Sequence, residues 1–312
     1  MTPLKKLALY CDFVVLKHTV FAIPFAYLGV VLASILLLGE LPGLRVLFLV
    51  TTAFFGARSG AMSLNNLVDA DIDKKNKRTT MRPLPAGLIS KGEVYSIIAI
   101  SYLVFFLSAY MLNGLCLLLS PIILITSFVY PYVKRFSSTA HLVLGLNLGY
   151  APLGGWLAVT GVLHFPPTNF DIGMFVLVIA VIFWVAGFDV IYSLSDVEFD
   201  RKFALHSIPA CFGTDAALKL SGLFHVLMYL CLVLFYRLLE LGIVFFVGLL
   251  AIGALIIYEH HIVKSDNPDK MRVAFLNVNA AVSISLLLFA VIDVLGSHII
   301  LLVKLAAALF HV

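Results

Sequence analysis

Apolar stretches of about 20 residues, each long enough to cross a bilayer, recur along nearly all of this 312-residue chain. They are read at 11–38, 44–68, 93–112, 114–133, 141–163, 171–195, 215–236, 239–259 and 276–295. In lipid every backbone polar group needs a partner within its own structure, and a helix supplies one locally. The prediction is an all-α, polytopic membrane bundle of nine transmembrane helices, forming a single domain over 1–312. A last apolar tail, 298–312, is interrupted by Lys304 and is short for a span. It is expected to lie at the interface or to cap the bundle as an extra C-terminal helix. Charged residues make up only 12% of the chain, against about a quarter in a soluble domain.

The basic residues cluster at Lys5–Lys6, Lys74–Arg82, Lys91, Lys134–Arg135, Arg201–Lys202, Lys219 and Lys264–Arg272, all on alternate loops. The positive-inside rule puts those loops and the N-terminus in the cytoplasm, as expected of a multi-pass inner-membrane protein. Topology accounts for this charge without a nucleic-acid partner. No cleavable signal is read, because the first apolar run is too long and lacks an A-x-A site. Cys11, Cys116, Cys211 and Cys231 have neither metal nor disulfide spacing and read as small packing residues.

Two loops on the same side carry related acidic stretches. The first reads Asn65-Asn66-Leu67-Val68-Asp69-Ala70-Asp71-Ile72-Asp73-Lys74-Lys75, and the second Asp196-Val197-Glu198-Phe199-Asp200-Arg201-Lys202. With Asp69 on Asp196, Asp73 meets Asp200 and Lys74-Lys75 meets Arg201-Lys202. Each stretch ends the second helix of a four-helix group, the pattern of an internal duplication.

Residues four apart share one helical face. Asn65, Asp69 and Asp73 therefore line one stripe, with Arg58 on it two turns earlier. Asp189, Tyr192, Asp196 and Asp200 are predicted to form a second stripe. Acids within spanning helices are costly and mark function, and two carboxylate stripes call for a cation between them. Mg²⁺ suits such a site, since it binds one or two carboxylates together with substrate phosphates. Lys77, Arg78, Lys134, Arg135, Arg201 and Lys202 are candidates to neutralise a diphosphate. Asp71 and Glu198 fall off the stripes and read as solvated. His260-His261 and Asp293 read as interfacial.

On these residues the chain resembles the UbiA superfamily of intramembrane prenyltransferases. Asn65 to Asp73 is similar to the family's N-D-x-x-D-x-x-x-D, and Asp189-Val190-Ile191-Tyr192 with Asp196 to Asp200 to its D-x-x-Y and D-x-x-x-D. Lys77-Arg78-Thr79 with Arg82-Pro83-Leu84-Pro85-Ala86-Gly87 and Tyr130-Pro131-Tyr132-Val133-Lys134-Arg135 match two further tracts. The resemblance covers nearly the whole chain. It is close to the bacterial branch acting on 4-hydroxybenzoate and closer still to the related branch of futalosine-type menaquinone synthesis. Asn66 replaces an aspartate of the family pattern, and Lys17 stands where relatives usually carry an acid.

The resemblance implies Mg²⁺-dependent transfer of a polyprenyl group from its diphosphate to an aromatic acid, a 4-hydroxybenzoate or a dihydroxynaphthoate. It implies metal ligation by Asn65, Asp69, Asp73, Asp196 and Asp200. Tyr192, with Tyr130 and Phe188 behind it, is the candidate to stabilise an allylic cation. Arg58, Arg135 or His18 is the candidate partner for the acceptor carboxylate, and Asp189 for its phenolic proton. Two other readings stay open. An ion-coupled transporter would also use buried acids and a repeat, although near the midplane. A prenyltransferase of the same family could also serve haem, a chlorophyllide or a glycerol phosphate.

Overall fold

The computed structural model describes residues 3–14, 22–263 and 274–310. Every regular element among them is helical. A short helix α1 (Pro3–Phe13) precedes α2 (Ile23–Leu38), α3 (Leu44–Asp73), α4 (Lys91–Leu112) and α5 (Gly114–Val133). The second group is α6 (Ala140–Thr160), α7 (Asn169–Ser193), the short α8 (Val197–Lys202) and α9 (Ile208–Phe212), α10 (Thr214–Leu238) and α11 (Ile243–Val263). A last helix, α12 (Asn279–Phe310), follows a π turn at Ala274–Val278. Among the described residues, eight helices are long and apolar enough to cross a membrane, with α2 as a shorter ninth.

The expected spans are thus present, with two corrections. The stretch 11–38 is not one helix: α1 ends at Phe13, and α2 has 16 residues, ~24 Å at 1.5 Å per residue. Nor is the tail beyond 298 a separate capping piece, because α12 runs on without a break to Phe310.

Local signals explain the helix ends. Ser90 and Glu93 form a capping box that starts α4, and Thr168 and Asp171 do the same for α7, each satisfying backbone N–H groups the helix cannot pair itself. Glu93 also receives Lys6 at 2.7 Å and the Tyr10 hydroxyl at 2.9 Å, so α1 is fastened to α4. Phe13 is buried with Ala70, Leu84, Ile89 and Val94. The amide of Asn66 donates to the Phe13 carbonyl at 2.9 Å. The asparagine that departs from the family motif therefore anchors α1 to α3.

Asp293, expected at the membrane interface, is packed inside the protein at a helix end. It is buried in α12 and accepts the backbone N–H groups of Gly242, Val244 and Phe245 at 2.6, 3.1 and 3.1 Å. A side chain from one helix thereby caps the start of α11. His260 likewise belongs to α11 and pairs with His225 at 2.8 Å, while His261 is exposed. Of the cysteines, Cys211 is exposed rather than packed.

The two groups repeat one packing scheme: the second helix lies along the third, α3 on α4 and α7 on α10. Their first helices, α2 and α6, cross at small residues. A Cβ added at Gly29 would overlap the Pro152 carbonyl oxygen, and one added at Gly155 the Ala26 carbonyl oxygen. Small residues permit such close backbone approach where lipid offers no hydrophobic drive for helices to associate. The scheme brings the C-terminal ends of α3 and α7 together.

Candidate active site

A polar cavity of about 190 Å³ lies where these two ends meet. From the first group it is lined by Asn65, Asp69, Asp73, Asn76, Arg78, Arg82, Tyr130 and Lys134. From the second it is lined by His141, Asp189, Tyr192, Asp196, Asp200 and Ser207. Both acidic stretches therefore share one side of the bundle and one space, at the helix ends.

The second stretch is not a continuous helical stripe. α7 stops at Ser193, Leu194–Asp196 is a 3₁₀ turn, and Asp200 sits on α8. Ser193 and Ser195 donate their hydroxyls to the carbonyls of Val190 and Tyr192, at 2.8 and 2.9 Å. Serine back-bonding of this kind competes with and bends the α ladder. The break turns Asp196 and Asp200 into the cavity by a different route from the one their spacing predicts.

Each acid has a partner. Lys134 donates to Asp69 Oδ2, and Arg135 lies 3.6 Å from Asp69 Oδ1. Arg82 holds Asp73 at 2.8 Å. Arg78 Nε and Asn76 Nδ2 donate to Asp196 Oδ1 at 3.0 and 3.1 Å. Ser207 donates to Asp200 Oδ2 at 2.6 Å, and His141 to Asp189 Oδ2 at 2.7 Å. Burial works against the charge of Arg78, but its bonds to Asp196 and the nearby Tyr192 and Asp73 outweigh it and hold its pKa above the ordinary guanidinium value.

The remaining expected residues sort clearly. Lys77, Arg135, Arg201 and Lys202 do not line the cavity. Arg201 turns to the carbonyls of Ala210 and Pro209, and Lys202 lies over the Phe203 ring. Arg135 donates to the Val68 carbonyl at 2.9 Å. Asp71 and Glu198 are exposed, as expected. His18 falls outside the described residues. The face of Tyr192 expected to meet an allylic cation carries Arg78, whose guanidinium carbon is 5.1 Å from the ring centroid.

Arg58 lines a second cavity, of about 210 Å³. This one is apolar, walled by Ala53, Ala57 and Ala61 of α3 and by Leu119, Ile123, Leu148 and Gly155 of α5 and α6. Asn65 and Tyr130 line both cavities and mark their junction. A charged chamber thus adjoins a greasy one at helix-end depth.

Sequence reasoning missed His141, Ser207 and Asn76 as site residues. Arg82 stood in a quoted tract but was not singled out. His141 and Ser207 carry no local pattern, since their partners lie 48 and 7 residues away.

The residues present suit a hard cation. Asp69 Oδ1 and Asn65 Oδ1 are buried oxygens that accept no hydrogen bond, and both side chains line the polar cavity. Among the described residues, no three His, Cys, Asp or Glu side chains converge into a metal site by themselves. Mg²⁺ generally completes its shell with water and substrate phosphate.

Paired helix groups bring two acid-bearing helix ends around one polar cavity. The chain belongs to the UbiA prenyltransferase family, whose model matches residues 7–309. It is 32% identical over 239 residues to a 4-hydroxybenzoate octaprenyltransferase of Vibrio cholerae, covering 77% of this chain and 81% of that one. The apo structure of a UbiA homologue from Aeropyrum pernix K1 superposes with a TM-score of 0.76 at 33% identity, covering 91% of this chain and 98% of that chain. A UbiA homologue from Archaeoglobus fulgidus bound to DMAPP and Mg²⁺ shares the fold, with a TM-score of 0.69 at 19% identity, covering 91% and 98%.

Proposed function

We propose that this protein transfers a polyprenyl group from polyprenyl diphosphate to 4-hydroxybenzoate, as a step of ubiquinone biosynthesis, with Mg²⁺ as cofactor. One observation carries the reading. Acids of both repeats, Asp69 and Asp196 foremost, line a single polar cavity that meets an apolar one at Asn65 and Tyr130. An amphiphile with a diphosphate head and an isoprenoid tail has that shape. The acceptor assignment rests on the relatives named for 4-hydroxybenzoate.

Asn65, Asp69, Asp73, Asp196 and Asp200 would hold Mg²⁺, which when bound draws charge from the diphosphate and eases cleavage of the allylic C–O bond. Arg78, Arg82 and Lys134 exchange part of their bonding from carboxylate to phosphate as the head group enters. The C–O bonding pair leaves with the diphosphate. The electron pair of the arene, ortho to the hydroxyl, forms the new C–C bond. Asp189 takes the acceptor's hydroxyl proton, and the ring hydrogen displaced at carbon restores the phenol by tautomerisation. Tyr130, at the junction, presents its π face to the allylic cation in place of Tyr192. The apolar walls exclude the water that would trap it. Arg58 is the partner proposed for the acceptor carboxylate. The helices embed the protein in the membrane, and the positive-inside rule applied to the basic loops supports a site facing the cytoplasm.

The test is incubation of membranes bearing the chain with labelled polyprenyl diphosphate and Mg²⁺, offering 4-hydroxybenzoate, a dihydroxynaphthoate and glycerol phosphate in separate arms. Labelled prenyl-hydroxybenzoate is expected. Product only in another arm reassigns the acceptor. No product in any arm, with substrate uptake instead, overturns the enzyme reading.

A further inference from the structure

His141 is buried, lines the polar cavity and bonds two other parts of the chain at once. It stands on the first turn of α6. Its Nδ1 lies 2.7 Å from Asp189 Oδ2 on α7, and its Nε2 lies 3.2 Å from the backbone nitrogen of Ile208 at the start of α9. The Ile208 N–H can only donate, so Nε2 must carry the lone pair. The ring is then neutral and its one hydrogen sits on Nδ1, directed at the Asp189 carboxylate. With the Nε2 lone pair engaged, His141 has no free site to accept a proton from substrate. It holds rather than relays.

The surrounding backbone strengthens that hold. Where the chain enters α9, three consecutive residues each grip a different part of the site. The His206 N–H donates to the Lys134 carbonyl at 2.7 Å, Ser207 to Asp200 at 2.6 Å, and Ile208 to His141. Residues 206–208 thus join the lysine bound to Asp69, the last acid of the second stretch, and the histidine bound to Asp189.

We propose that His141 is a positioning residue for Asp189, locked in one tautomer by the Ile208 N–H, and that it aims the Asp189 carboxylate at the acceptor's hydroxyl. This rests on the role given to Asp189 above. A directed hydrogen bond of this kind fixes the orientation of a proton acceptor, and a misplacement of about 1 Å can cost about a hundredfold in rate.

Isosteric variants separate the two bonds. His141→Asn keeps an N–H at the Nδ1 position and loses the acceptor facing Ile208. His141→Gln keeps an acceptor near the Nε2 position and loses the donor facing Asp189. The full-length protein in membranes is assayed with geranyl diphosphate, 4-hydroxybenzoate and Mg²⁺, with melting profiles as a check on folding. His141→Gln is expected to lower kcat by about a hundredfold with KM for geranyl diphosphate within about twofold, and His141→Asn to stay at least about tenfold above it. Combining His141→Gln with Asp189→Asn should cost no more than Asp189→Asn alone, since the two act as one unit. Asp189→Asn with wild-type turnover defeats the assignment of Asp189. An impaired Asp189→Asn beside a wild-type His141→Gln, additive losses, or equal loss in both His141 variants overturns the positioning role while leaving Asp189 in place.

Discussion

Arg78, from the loop that follows the first acidic stretch, grips Asp196 of the second: Nε lies 3.0 Å from Oδ1 while Nη2 reaches Oδ2. A third nitrogen, Nη1, donates to the Tyr192 hydroxyl at 2.6 Å. The two repeats are therefore stitched by a planar, forked cation, and lysine cannot reproduce that geometry. Arg78→Lys is expected to lose about tenfold or more in kcat/KM for the prenyl diphosphate, worth ~1.4 kcal/mol, and Arg78→Ala more. Steady-state kinetics with varied prenyl diphosphate measures it. Wild-type kinetics in Arg78→Lys would show that the fork is not used.

Lys134 is the counter-ion of a nearly inaccessible carboxylate, since the Asp69 side chain is only 2% exposed. Removing the partner of a buried carboxylate is destabilising, and Arg135, 3.6 Å from Asp69 Oδ1, compensates only in part. Lys134→Ala should melt well below wild type. Mg²⁺ together with inorganic diphosphate should recover part of the loss by supplying charge to the same oxygens. Thermal unfolding with and without these ligands checks both halves of the statement. A variant insensitive to Mg²⁺ would speak against Asp69 as a ligand.

Asn66 departs from its family's aspartate and donates to the Phe13 carbonyl. Asn66→Asp sets two acceptors against each other at a buried position, costing about 1–3 kcal/mol. The melting temperature should fall while turnover per folded molecule stays near wild type. A rise in Mg²⁺ affinity would instead make position 66 a ligand.

Asp293 carries three backbone N–H groups at the start of α11. Asp293→Ala strands them in a buried setting and should destabilise by about 1–3 kcal/mol, read as a lower melting temperature. No change would mean that water or lipid head groups reach this helix end.

The apolar cavity yields a specificity prediction. Ala57 lines it one turn above Ala61 and two turns above Asn65. Ala57→Phe fills the space beyond the first isoprene units. It should reduce turnover of long polyprenyl diphosphates far more than that of dimethylallyl diphosphate. Equal losses at all chain lengths would place the tail elsewhere.

The spans and the two acidic stretches were legible because hydrophobic run length and four-residue spacing are local properties. Among the described residues, eight long helices and one shorter helix lie close to the runs, and Asn65, Asp69 and Asp73 keep their common face because α3 is unbroken to Asp73. The second stretch shows the limit of that reasoning. Ser193 and Ser195 break the helix, so equal spacing does not mean equal geometry. The pairings of Lys134 with Asp69, His141 with Asp189 and Asp293 with the start of α11 join residues 65, 48 and about 50 positions apart. No periodicity encodes such contacts; packing of the two helix groups creates them. Arg201 and Lys202 looked equivalent to the other basic residues by sequence. Only the fold shows that they turn away from the cavity.

The most direct measurement is equilibrium binding of labelled geranyl diphosphate to the purified full-length protein in lipid nanodiscs, without acceptor, titrated with and without Mg²⁺. Asp69→Asn and Asp196→Asn, one from each repeat, are compared with wild type. If both helix ends hold one magnesium–diphosphate head group, wild-type binding depends on Mg²⁺ and either substitution weakens it by a similar, large factor. Wild-type affinity in Asp196→Asn, or binding indifferent to Mg²⁺ throughout, would contradict the shared site.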